Sequence, residues 1–347
     1  MRRVVATFSC AALLACSAVL TAPEDPTIAP KGPDDGGVPA DGGPTTDGAV
    51  AADGAGDAAP DADACAACDR QFDDVTKLVA NATHVFVAYR DGVARCSTTT
   101  CERKTFTPIV VEAEARAIAL DATGKLFVAS KGALYTCGGS PFDCTIVRAT
   151  LSELVQNPPR HLVVLSSTFL WTSSASTTMF HTTRAIGGAV STIPVGRSSA
   201  PLALIGDSAA YGDTANIGRI DAAGAQIIIA SGLSNVLDLA SSSTKLGAVT
   251  ADGSSIILMD HGGTANGSTT VNAGGAVSFT LGPSSAFWIA NTNIARFELA
   301  TPNVPPTLYV SGLPSPRHVA MGGNTLWFTT GANGDGRGLS SLDYRTP

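Results

Sequence analysis

From about Val75 onward, apolar and polar positions repeat one phrase along the chain. A short alternating run leads into a polar Gly, Asn or Ser turn. A more apolar strand with an aromatic residue follows, then a Gly-bearing turn and two further strands. The opening runs are Leu78-Val79, Ala117-Ile118-Ala119-Leu120, Leu162-Val163-Val164-Leu165, Leu202-Ala203-Leu204-Ile205, Leu237-Asp238-Leu239, Phe279-Thr280-Leu281 and His318-Val319-Ala320-Met321. The second strands are centred on Phe86, Phe127, Trp171, Tyr211, Gly247, Trp288 and Trp327, which lie 41, 44, 40, 36, 41 and 39 residues apart. Short alternating runs bounded by turn residues read as half-buried strands rather than helices.

A period of about 40 residues made of four short strands is the signature of propeller blades. The predicted fold class is therefore all-β, a β-propeller of seven four-stranded blades spanning residues 64–347. An open array, or a six-bladed ring with a side element, is the alternative. Each blade presents two apolar faces that only its neighbours can cover. The last repeat stops one strand short, after Gly338 to Tyr344. The piece Arg70-Gln71-Phe72-Asp73-Asp74-Val75 is a candidate for the missing outer strand, which would pair the two ends of the domain and hide an open edge.

Upstream the physics changes twice. Residues 22–63 carry ten acidic side chains and one base, Lys31, a charge of −9 that Arg2 and Arg3 reduce to the formal −7. Residues 64–347 are formally neutral, and the charge says nothing about a partner of the domain beyond arguing against nucleic acid. Residues 16–63 are rich in Asp, Gly, Pro and Ala, too poor in large apolar side chains to offset the entropy of ordering, and read as a disordered tether. Residues 1–15 read as a signal peptide: Arg2-Arg3, then an apolar stretch from Val4 to Leu14 that is too short to span a bilayer.

Leu13-Leu14-Ala15-Cys16 resembles the bacterial lipobox. The resemblance implies lipidation of Cys16, membrane attachment through that lipid, and, with Ser17 rather than Asp following, an outer-membrane or cell-surface address. The alternative is an ordinary secretory peptide cut near Ala18 or Ala22. From Asp69 on, the chain resembles exported bacterial seven-bladed propellers. The Pro316 to Thr329 phrase, Asn216-Ile217-Gly218-Arg219-Ile220-Asp221 and Asn324-Thr325-Leu326-Trp327-Phe328 look like blade segments of streptogramin-lyase-like, NHL-like propellers. That likeness implies a fold; its motifs build blades and assign no activity.

The cysteines suit an oxidising compartment. Cys96 and Cys101 bracket a short loop in the first repeat, and Cys137 and Cys144 bracket the matching loop in the second, which argues for local hairpin disulfides. Cys65 and Cys68 read as a structural pair at the entrance of the domain. Sequence alone allows fifteen pairings of these six.

Few titratable side chains remain for chemistry. Pro159-Arg160-His161 and Pro316-Arg317-His318 repeat one charged dipeptide at the start of an innermost strand. If they face the axis, Arg160, His161, Arg317 and His318 line one rim and could grip an anion or a carboxylate; otherwise they are exposed turn residues matched through blade similarity. No catalytic residue, cofactor or metal site is identified, and no phosphate loop, nucleophile elbow or zinc-helix motif occurs. The expectation is a monomeric, envelope-anchored binding or scaffold module for an extracytoplasmic protein, glycan or small ligand. The alternative is a lyase or hydrolase with a site at the channel mouth, although the His and Glu pattern of the lyases is missing.

Overall fold

Wherever an Asn, Asp, Gly or Ser turn separates two alternating runs, the chain folds back as an antiparallel hairpin. The computed structural model describes residues 75–347 except 91, 100–105, 110–114, 140–141, 150, 186–187, 262–267, 302, 332–337 and 344–347. The signal, the tether, Cys65, Cys68 and the candidate closing strand before Val75 lie outside the described residues.

The first blade comprises β1 (Lys77–Ala80), β2 (His84–Tyr89), β3 (Gly92–Ser97) and β4 (Thr107–Ile109). The second is β5 (Ala117–Leu120), β6 (Leu126–Ser130), β7 (Ala133–Gly138) and β8 (Asp143–Arg148), followed by a one-turn helix, α1 (Ser152–Gln156). The third is β9 (Pro159–Val164), β10 (Thr168–Ser173), β11 (Thr178–Thr183) and β12 (Val190–Pro194); the fourth is β13 (Leu202–Ile205), β14 (Ser208–Gly212), β15 (Ile217–Asp221) and β16 (Gln226–Ala230). The fifth is β17 (Asp238–Ser241), β18 (Lys245–Thr250), β19 (Ser255–Asp260) and β20 (Thr269–Asn272); the sixth is β21 (Ala276–Leu281), β22 (Ser285–Ala290), β23 (Asn293–Glu298) and β24 (Thr307–Val310). A final sheet of β25 (Val319–Gly322), β26 (Thr325–Thr330) and β27 (Gly338–Asp343) has three strands.

Six four-stranded blades, not seven, are therefore present, and the remaining sheet lacks an outer strand among the described residues. Within every sheet the strands follow sequence order and pair antiparallel. The innermost strands β1, β5, β9, β13, β17, β21 and β25 touch in that cyclic order, and β25 touches β1.

Apolar side chains fill each junction between successive sheets. Trp171, Phe169 and Phe180 of the third blade meet Phe127 and Leu134 of the second. Leu78, Val85 and Val87 of the first blade meet Ala320 and Trp327 of the last sheet, which closes the ring through packing. Residues at alternate positions of one strand serve opposite junctions, as the pleat requires: Phe86 packs toward the second blade, Val85 and Val87 toward the last sheet.

This alternation corrects the equivalence drawn through the aromatics. Counted from the hairpin turn, Phe86, Phe127, Gly247 and Trp327 share one register, whereas Trp171, Tyr211 and Trp288 lie one residue further on. They project from the other face, toward the preceding blade. Gly247 stands where other blades carry a large side chain because Phe279 of the next blade occupies the space. A Cβ there would lie 2.4 Å from its ring.

Cys137 on β7 faces Cys144 on β8 and is bonded to it. Cys96 is also disulfide-bonded, and Cys101 lies outside the described residues.

The Gly247 contact gives a direct test of the packing. Gly247→Ala should lower unfolding stability by about 1–3 kcal/mol, the usual effect of overpacking a filled core. Adding Phe279→Leu should recover part of that loss. Urea unfolding of the two variants against the parent measures it; a Gly247→Ala protein as stable as the parent would refute the packing argument.

Candidate functional site

An innermost strand has only one strand neighbour in its sheet. Its other edge faces the axis, and the N–H groups there need acceptors from elsewhere. The residue four places before each first-hairpin turn residue occupies an equivalent position on that edge. Counting back from Asn81, Asp121, Leu165, Ile205, Ser242, Gly282 and Gly322 gives Lys77, Ala117, His161, Pro201, Asp238, Ser278 and His318. Two of the four rim candidates, His161 and His318, thus fall on one ring with polar residues that the sequence reading passed over: Lys77, Asp238 and Ser278.

Part of this ring holds the blades together. Asp238 accepts hydrogen bonds from the Leu239 N–H at 2.9 Å and, across the junction, from the Phe279 N–H at 3.2 Å. Ser278 repeats the motif one blade further on, its Oγ accepting from the buried Val319 N–H at 3.2 Å. His318 makes the next link by donating from Nε2 to the Val75 carbonyl at 3.0 Å. One register position in three successive sheets therefore ties each to the next, and the last tie closes the ring.

Lys77 and His161 do something else. Both are partly buried, and neither side chain has a hydrogen-bond or ion-pair partner among the described residues. The Lys77 charge acts on His161, Asp238 and His318, which belong to three other sheets, so all four face a shared interior. His161 keeps some accessible surface while protein surrounds it. Arg160 and Arg317 are exposed, and Arg160 acts on both histidines.

Electrostatics follow from this crowding. Burial, then Lys77, Arg160 and Arg197, push His161 well below the ordinary imidazole range. Burial and Lys77 bring His318 down to about 4, with smaller contributions from Arg160 and Arg317 and partial opposition from the bond to Val75. Burial raises Asp238 despite Lys77 and its two N–H donors. At neutral pH both histidines are uncharged, and the cationic character of the mouth comes from Lys77, Arg160 and Arg317.

Comparison with solved structures supports the same architecture. The fold is that of a β-propeller. A chain in the mitotic checkpoint complex aligns with a TM-score of 0.60 at 16% identity, over 80% of this chain and 89% of that one. PorZ, a surface component of the type-IX secretion system of Porphyromonas gingivalis, aligns at 0.56 and 11% identity over 80% of this chain and 38% of its own. Virginiamycin B lyase from Staphylococcus aureus aligns at 0.49 and 15% identity over 67% and 85%, a likeness too distant to bear on activity. No protein-family model and no curated protein sequence matches the chain. Among the described residues, no group of three or more His, Cys, Asp or Glu side chains is placed to hold a metal ion.

The depressed histidines make stability depend on pH in a definite sense. Between about pH 6.5 and 4 the unfolded chain binds a proton at residue 318 that the fold refuses, so acidification favours unfolding. His318 accounts for up to about 3 kcal/mol over that window. His161 adds in the same direction, and Asp238, raised in the fold, partly offsets them. Urea midpoints at pH 7 and pH 4.5 should show a smaller loss for His318→Asn than for the parent. Equal losses would remove His318 from the account.

Proposed function

We propose that this chain is an exported, envelope-anchored propeller that acts as a binding module, its ligand seated at the mouth where the innermost strands begin. The observation that carries this reading is the division of labour within one ring. Asp238, Ser278 and His318 are occupied in joining sheets, while Lys77 and His161, held on the same rigid frame, have no protein partner among the described residues. Polar groups prepositioned on a rigid, partly desolvated ring favour a ligand because little ordering remains to oppose binding. Export is supported by the Cys137–Cys144 bond, which suits an oxidising compartment, and anchoring by the lipobox likeness at Cys16.

Two measurements test the two halves. In cells supplied with radiolabelled palmitate, the parent should incorporate label and sediment with the envelope, and Cys16→Ser should do neither. An unlabelled, soluble parent would discard the anchor. For the mouth, a thermal-shift screen of envelope glycan fragments, short peptides and small metabolites should yield compounds that stabilise the full-length protein but not Lys77→Ala or His161→Ala. Hits that act equally on all three proteins would place the binding surface elsewhere.

A further inference from the structure

The rim just outside the polar ring is divided in two. The position preceding the ring residue is Arg116, Arg160 and Arg317 in the second, third and last sheets. In the fourth, fifth and sixth it is Ala200, Leu237 and Val277. In the first blade it is Thr76, with the ring residue Lys77 beside it. In cyclic order the three arginines flank that blade on one arc, and the apolar residues form the other.

Two backbone irregularities sharpen the contrast. The pairing of β9 with β10 shifts register between Thr172 and Ser173, opposite the step from Pro159 to His161, so Arg160 is the bulged residue. The pairing of β21 with β22 shifts between Ala276 and Ser278, so Val277 is the bulged residue of the sixth blade. A bulge breaks the alternation of a strand and re-aims the side chain it carries. Here one bulge turns out a cation. The other turns out a valine that is 64% exposed, the highest value among the large apolar side chains left to solvent. Blade packing has no use for an exposed valine on an inner strand, where its neighbours Ala276, Ser278 and Phe279 are all buried.

We infer that the mouth takes an amphiphilic carboxylate, its anionic head held by Lys77 and Arg160 with His161 as a hydrogen-bond partner, and its apolar body laid against Val277 and Leu237. The inference rests on the proposed binding role and narrows it to one ligand chemistry. The head needs the fixed positive arc, because both histidines are uncharged at neutral pH. The body accounts for the exposed Val277, which an inorganic anion would leave unused. A free acyl carboxylate and the C-terminal carboxylate of an apolar peptide offer the same chemistry.

Calorimetric titration of the full-length protein with octanoate, acetate and octan-1-ol at neutral pH and low salt tests it. The acetylated dipeptide Leu-Leu and its C-terminal amide distinguish the peptide source from the acyl source. Octanoate, the dipeptide acid or both should bind at least tenfold more tightly than acetate, octanol and the amide. Lys77→Ala with Arg160→Ala should weaken that binding tenfold or more, and Val277→Asp should erase the advantage of the long chain over acetate. Absence of saturable binding by both amphiphilic acids, or octanol binding as tightly as octanoate, would overturn the inference. If a neutral or cationic compound from the screen above is instead lost on Lys77→Ala or His161→Ala, the ligand class is wrong and the mouth remains the site. Ligands indifferent to both substitutions overturn the binding role itself.

Discussion

Everything in this fold follows from the fact that no blade can satisfy itself. A twisted sheet of three or four short strands has two apolar faces and, at its inner end, an edge of unpaired N–H and C=O groups. The faces are covered only by neighbouring sheets, so each junction is filled by apolar side chains from both sides, as between Trp171 and Phe127 or between Val85 and Trp327. The inner edges are covered by side chains rather than strands. Asp238, Ser278 and His318 each reach across a junction, and their bonds to Phe279, Val319 and Val75 are short links in a path around the axis. An N–H left unpaired there would lose about 1–3 kcal/mol, comparable with a sizeable share of a domain's net stability.

The same constraint creates the candidate site. One equivalent position per sheet points at the axis, and the structure needs only some of those positions to join blades. Ala117 and Pro201 bring no polar group, three others are tied to the backbone, and Lys77 and His161 are left. A lysine in such a place is unfavourable for folding unless water or a ligand solvates its charge. Burial, with the Lys77 field added to it, keeps His318 neutral where an exposed histidine would begin to protonate. The electrostatics of the mouth are thus by-products of ring closure, and a ligand that neutralises Lys77 would relieve them.

Much of this was legible in the sequence because the repeat is built from local rules. Alternation and turn residues locate every innermost run within three residues, and the period near 40 residues defines a propeller. The register within the second strands was not legible. Trp171, Tyr211 and Trp288 satisfy the same compositional rule as Phe86 and Trp327 yet project from the opposite face, since a shift of one residue inverts a strand and leaves its hydropathy unchanged. Gly247 could be understood only with Phe279 of the next blade in view. The paired Pro-Arg-His phrases mark the starts of two innermost strands, but the partners of those residues were not legible in them. His318 joins blades, and Lys77 carries no motif, because its importance lies in its distance from a turn rather than in its neighbours.

The bulges at Arg160 and Val277 carry the argument furthest. A bulge interrupts the ladder and leaves one residue unpaired, so an inner strand gains nothing by it unless the displaced side chain is useful where it lands. Both occur at the mouth end of innermost strands, and both put into solvent a side chain that regular pairing would have placed against a neighbouring blade or the axis. One is a base whose charge acts on both histidines, the other an apolar residue with no packing role. Ring closure explains neither, whereas a ligand with a charged head and an apolar body requires such a pair. The residues that a propeller needs in order to close and those it can offer to a partner are thus separated by one position along the same strands.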